Sequence, residues 1–374
     1  GGIVVEVKIL KPTMEMKYAE ELEALKSTDT GKKPENWLMS PKAVRTFILG
    51  SDKAIEYNGK KIKITKKFYG DDSLVERSII TLAGNRGLML VGDPGTAKTM
   101  LSELLSAAIC GTSTNTIQGT AGTTEDMIKY SWNYAMLLAK GPVREALVPA
   151  PLYIGMKEGM ITRFEEITRC PLEMQDSMIS VMSDKMLNIP EFAEEPVLYA
   201  RPGFNVIATA NTRDKGINEM SSALKRRFNF ETVLPVSSVT IEAKIIEQEC
   251  EKMFNEANIE MKIDHNVIEI LALTFRELRE GITYENIKVD VPSSVMSTAE
   301  AVSVYFQTAI DSYYYSDGKI TADKLVQNIK GAVIKENRDD LSKLRNYFGT
   351  VVKKRAEKEG SLWIDYYEAR NNLK

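Results

Sequence analysis

Histidine is almost missing from this chain: among 374 residues there is one, His265. A single imidazole excludes Ser-His-Asp and Cys-His catalysis in their usual forms, and it excludes any multi-histidine metal site. His265 follows Asp264 at the start of a predicted helix over 266–280, where the aspartate suits an N-cap, so the histidine is assigned a structural role. Cysteine is also scarce. Cys110, Cys170 and Cys250 are far apart and odd in number, which excludes a Cys-x-x-Cys centre and points to reduced, buried thiols and a cytoplasmic setting. No apolar run approaches membrane-spanning length, and the N-terminus lacks a signal-peptide pattern. The chain begins Gly1-Gly2 without methionine, which reads as the remnant of an added tag or a trimmed start. Strong charge of either sign is lacking too: a net charge of −3 gives no general attraction to nucleic acid or acidic membranes, and neither is expected as a partner.

What is present is the composition of a globular protein, 43% hydrophobic and 27% charged, with length enough for two packed domains. The most informative segment is Gly92-Asp93-Pro94-Gly95-Thr96-Ala97-Lys98-Thr99. It follows the apolar run Leu88-Met89-Leu90-Val91 and precedes the apolar-periodic stretch that opens at Met100. Strand, glycine loop and helix in that order are the context of a phosphate-binding P-loop. Backbone N–H groups of such a loop and the positive end of the helix face the phosphates, Lys98 reaches the β- and γ-phosphates, and Thr99 offers its hydroxyl to Mg²⁺. The expected ligands are Mg²⁺ and a nucleoside triphosphate, which the motif alone leaves as ATP or GTP and which is taken as ATP, with Gly92 to Met100 as the nucleotide-binding set. Ala97 stands where such loops usually have glycine. Right-handed helical dihedrals there would make the methyl group nearly free of cost, leaving Gly92 and Gly95 to supply the tight turn.

Downstream, Met160 to Glu166 reads as a second strand of the same sheet ending in two carboxylates. Hydrolysis of ATP needs one acid near the metal and another to orient or deprotonate water, which assigns Glu165 to the metal and Glu166 to the water. Arg163 is out of place in a central parallel strand, and either pairs with Glu165 or lines a subunit contact. A third apolar run, 204–210, ends at Asn211, whose amide can reach the γ-phosphate or the attacking water. A short helix over 220–228 carries Arg226 and Arg227. Within one subunit the pair reads as a basic helix end; in a ring, one of the two can enter the neighbour's site as an arginine finger.

The three segments GDPGTAKT (92–99), FEEITRCPLEMQDSMISVMSDKMLNIPE (164–191) and FNVIATANTRDKGINEMSSALKRRF (204–228) together resemble AAA+ ATPases, and within them the MoxR family. The resemblance covers about residues 70–310. It implies Walker A at Lys98 and Thr99, Walker B at Glu165 and Glu166, sensor 1 at Asn211 and the finger at Arg227. It also implies a helix-2 insertion over about 125–158, a hairpin over 185–204, a ring that is a hexamer, and a client protein of the von Willebrand factor A type. The pattern departs at sensor 2: no arginine occurs between Arg279 and Arg338, so Lys288 or a partner supplies that charge, or turnover is slow.

The fold expected is α/β: an AAA+ core with a parallel sheet over 71–234, an α-helical lid over 235–319 and a C-terminal helical extension over 320–374. Residues 1–70 form an N-terminal extension with a hairpin around Asn58-Gly59. The lysines of that region, Lys60, Lys61, Lys63, Lys66 and Lys67, either touch nucleic acid or a partner's acidic face or form a solvated strand face, and the solvated face is the reading preferred. The extension either packs on the lid or serves as a docking surface. The function expected is ATP-driven remodelling of a partner protein, with a weakly hydrolysing nucleotide-gated scaffold or a nucleic-acid-linked defence ATPase as alternatives.

Overall fold

In a computed structural model, residues 7–212 and 219–374 are described. The Gly1-Gly2 start and the 213–218 stretch of the third motif lie outside them. The chain forms two compact units, Gly1–Asp93 with Ala97–Leu234, and Pro94–Thr96 with Pro235–Lys374.

In the first unit, strands β1 (Ile55–Tyr57) and β2 (Lys60–Ile62) make an antiparallel hairpin. Its turn residues Asn58 and Gly59 both have positive φ, as a two-residue turn matched to strand twist requires. The central sheet contains β3 (Gly87–Gly92), β4 (Thr116–Gln118), β7 (Ile161–Glu165), β10 (Asn205–Asn211) and β11 (Phe228–Thr232). All its pairings are parallel, in the order β11-β3-β10-β7-β4. Two further hairpins leave the sheet, β5 (Tyr130–Trp132) with β6 (Leu147–Pro149) and β8 (Met186–Asn188) with β9 (Val197–Tyr199).

A parallel sheet is buried on both faces, so its central strands are mostly apolar, and alternate side chains serve opposite layers. Leu88 and Leu90 of β3 pack with Leu101, Leu104 and Leu105 of the helix Lys98–Cys110, while Met89 packs with Phe164, Val206 and Ala208 on the other face. The first layer continues into Leu22, Leu25, Trp37, Phe47 and Ile48, so the N-terminal region shares one core with the sheet. Lys67 departs from the expected solvated face. Its ammonium is buried, 2.8 Å from Glu21 Oε1 and 2.7 Å from Phe47 O, over the rings of Tyr18 and Phe47.

The second unit is helical around a single core. The helices Val239–Glu256, His265–Glu280 and Thr298–Tyr315 supply Ile246, Phe275 and Tyr305. Residues from 320 onward add Leu325, Ile329, Tyr347, Phe348, Trp363 and Tyr366 to the same core, so this segment is packed rather than appended. Asp264 caps its helix by accepting from the Val267 N–H at 3.2 Å, and exposed His265 pairs with Glu247 at 2.9 Å. Among the described residues, no helix is long and apolar enough to cross a membrane.

Candidate nucleotide site

The carboxyl ends of β3, β10 and β7 lie side by side, and crevices at such strand ends are where open parallel sheets bind ligands. β3 delivers the glycine loop to the helix that begins at Lys98. Gly95 makes the turn at φ +76°, whereas Gly92 remains strand, so one glycine rather than two does this work. Ala97 contradicts the right-handed conformation expected of it. At φ 66°, ψ 17° it is left-handed, a region in which a methyl group costs on the order of 1–2 kcal/mol and which explains why glycine is usual there. Lys98 is buried, and its Nζ donates to Gly92 O at 3.0 Å and Asp93 O at 2.8 Å. The ammonium is thereby held over the loop, where a phosphate oxygen would compete with those two carbonyls. Thr212 fastens the loop to the end of β10, donating its hydroxyl to Asp93 Oδ1 at 2.8 Å and its N–H to Gly92 O at 3.1 Å.

The first carboxylate is the centre of a dense polar node. Glu165 Oε2 accepts from Thr99 Oγ1 at 3.1 Å and from Thr209 Oγ1 at 2.7 Å. Glu165 Oε1 accepts from Ser102 Oγ at 2.7 Å and from an Arg163 guanidinium nitrogen at 2.9 Å. Arg163 therefore pairs with Glu165, the first of the two alternatives its sequence position allowed. It also donates from Nε to Ser102 Oγ at 3.0 Å and to Ser113 O. Glu103 stands 3.8 Å from it, and burial pushes the Glu103 carboxyl above its ordinary range, with Arg163 opposing. Sequence reasoning missed Ser102 and Thr209. Ser102 lies one helical turn after Lys98 and Thr209 one position past the Ala208–Phe164 pair, signals that become readable only once helix, β10 and β7 are assembled.

The second carboxylate differs. Glu166 leaves the strand in a left-handed conformation, φ 53°, ψ 48°, and its N–H donates to Thr209 Oγ1 at 3.0 Å. Its Oε2 is 2.9 Å from Arg169 and 3.2 Å from Gln118 Nε2. Gly119 makes this turn possible: its N–H donates to Glu165 O at 2.7 Å, and a Cβ there would meet Glu166 O at 2.2 Å. Asn211 ends β10 in register with Gly92, which brings its strand position beside the loop. Arg226 and Arg227 lie at the end of the short helix Ser222–Lys225, Arg226 exposed and Arg227 half-buried, with Arg227 Nε donating to Ser183 Oγ.

The donor set fits a magnesium ion. Thr99 Oγ1 and Glu165 Oε2 offer one hydroxyl and one carboxylate oxygen, which is what Mg²⁺ takes when phosphates and water complete its shell. Among the described residues, no group of three or more His, Cys, Asp or Glu could hold a metal unaided.

Residues 87–228 match the family model of the AAA domain, dynein-related subfamily, and residues 240–374 match that of the YehL-like AAA+ ATPase C-terminal domain. The chain is 45% identical over 364 residues to YehL of Escherichia coli K12, described as uncharacterized, and the match covers 97% of each protein. The chain belongs to the YehL-like family of AAA+ ATPases. An uncharacterized protein of Staphylococcus haemolyticus is 31% identical over 147 residues, 38% of this chain and 54% of that one. Among solved structures, NtrX of Brucella abortus in complex with ADP aligns over 82% of this chain and 64% of its own at 14% identity and a TM-score of 0.46, a likeness too slight to inform function. Within this YehL-like chain, the AAA match begins at β3 and contains every candidate site residue from Gly92 to Arg227. The C-terminal match treats lid and extension as one domain.

Proposed function

We propose that this chain is a MoxR-type member of its AAA+ family that binds ATP with Mg²⁺ and hydrolyses it to remodel a partner protein. One observation carries the reading: Thr99, next to the loop lysine, meets Glu165, the last residue of β7, across 3.1 Å, with Glu166 following immediately. In this scheme the loop amides and Lys98 hold the β- and γ-phosphates, and Thr99 with Glu165 Oε2 would hold the cation. Bound Mg²⁺ would neutralise charge on the phosphate oxygens. Glu166 orients the attacking water and takes its proton, after exchanging Arg169 and Gln118 for that water. Asn211, in register with Gly92 at the end of β10, would reach the γ-phosphate or the attacking water. Arg227, or Arg226, is supplied to the neighbouring subunit's nucleotide in a ring, a hexamer by family resemblance, and the client is a protein of the von Willebrand factor A type.

A second reading, a nucleotide-gated scaffold with little turnover, is favoured by the engagement of both carboxylates with arginines, Glu165 with Arg163 and Glu166 with Arg169. Calorimetry on Lys98→Ala tests the shared premise. The expected result is loss of nucleotide binding with the fold intact, and unchanged ATP affinity would end the P-loop reading. The ring is tested by phosphate release. Arg227→Ala should lose activity while keeping nucleotide affinity, and mixing it with Lys98→Ala chains should restore part of the turnover, because some interfaces then pair an intact loop with an intact arginine. Activity independent of protein concentration, with no recovery in any mixture, would make Arg227 an ordinary helix-end arginine.

A further inference from the structure

We propose that Arg163 is a positioning residue that sets the cation affinity of the site, cancelling the charge of Glu165 so that a divalent ion is held only together with nucleotide phosphates. The proposal rests on the reading of this site as a P-loop ATPase centre. Its basis is the way the carboxylate is divided. Residues two apart on a strand share a face, and Arg163 and Glu165 use that geometry to meet at 2.9 Å, both nearly excluded from water at 7% and 6% side-chain exposure. One oxygen, Oε1, is committed to Arg163 and Ser102. The other, Oε2, is left to the hydroxyls of Thr99 and Thr209.

Arg163 has little freedom to leave. Its fork is fixed at Glu165, at Ser102 Oγ and at the Ser113 carbonyl. A packed apolar side chain would serve a central parallel strand as well or better, because a buried ion pair gains little net stability over hydrophobic residues of similar volume. The charge therefore has a consequence at the site rather than in the core. A cation at Oε2 would sit within a few ångströms of a fixed guanidinium, in surroundings where the repulsion is poorly screened. Free Mg²⁺ would find no net negative charge in the Arg163–Glu165 pair, the Glu103 carboxyl 3.8 Å from Arg163 being pushed by burial toward its neutral form, and the phosphates of ATP would have to supply it. The empty enzyme would then neither fill with metal nor lock Glu165 before nucleotide arrives.

The test uses the full chain without nucleotide and Mn²⁺ as the probe, its binding followed by electron paramagnetic resonance. Wild type should bind weakly, Arg163→Met about tenfold or more tightly, and Arg163→Lys like wild type because the charge is kept. Glu165→Gln in the Arg163→Met background should abolish the gain. Thermal unfolding identifies folded variants, and Arg163→Gln, which keeps hydrogen-bonding capacity without charge, carries the same expectation should Arg163→Met not fold. Equal Mn²⁺ affinity in wild type and the neutral variants would overturn the proposal, as would Arg163→Lys binding as tightly as Arg163→Met. Failure of the ATPase reading is separate: it would appear as nucleotide affinity indifferent to Lys98→Ala, whatever Mn²⁺ does.

Discussion

Each unit of the molecule buries an arginine against a glutamate, and the two pairs end differently. In the helical unit, Arg355 grips Glu277 with both terminal nitrogens at 2.6 and 2.7 Å, the Tyr347 hydroxyl donates to Glu277 at 2.8 Å, and Glu285 takes a further guanidinium hydrogen. The rings of Tyr284 and Trp363 lie against the guanidinium at 4.3 and 5.1 Å. Burial alone would lower the Arg355 pKa, but its hydrogen bonds and charges with Glu277, Tyr347 and Glu285 raise it above the ordinary value. In the α/β unit, Arg163 holds one oxygen of Glu165 and leaves the other to hydroxyls, one of them from the residue next to the loop lysine. A carboxylate clamped through both oxygens can serve only the fold. One whose arginine takes a single oxygen leaves the other to hydroxyls, which a ligand can displace.

Replacing each arginine by methionine should have unequal effects. Arg355→Met leaves Glu277 a buried charge without its cation and should cost about 3–5 kcal/mol of stability, measured by denaturant unfolding. A loss under about 1 kcal/mol would show that the helical unit does not depend on the pair. Arg163→Met should cost less, about 1–3 kcal/mol, because Ser102, Thr99 and Thr209 remain to donate to Glu165. Its larger consequence should appear in cation binding rather than in unfolding. Equal stability losses at the two sites would erase the distinction between a structural and a site-facing pair.

How far the sequence alone reaches differs along the same line. The glycine loop, Lys98, the paired acids and the end of β10 at Asn211 are legible because each is a contiguous run with a physical signature: an apolar strand, a turn, then a polar residue at the strand end. Even Arg163 stands out, as a charge in a run that should be apolar. What was not legible depends on residues far apart in the chain. Ser102 and Thr209 look like ordinary helix and strand residues until Glu165 lies between them. Arg355 and Glu277 are 78 positions apart, and neither position has a local signal. Lys67 joined its neighbours as a surface charge in the sequence because Glu21 and the Phe47 carbonyl arrive from distant helices. Ala97 misled for a different reason: alanine favours right-handed helix, and the loop overrides that preference to bring its helix onto the strand end.

The central claim, that the acids at the end of β7 perform ATP hydrolysis, is tested most directly by phosphate release from Glu166→Gln beside wild type, with ATP binding measured on both. The variant should bind ATP as wild type does and release phosphate at least about a hundredfold more slowly, because the amide keeps the shape of the side chain and cannot take the proton. A variant that turns over at the wild-type rate would contradict the claim.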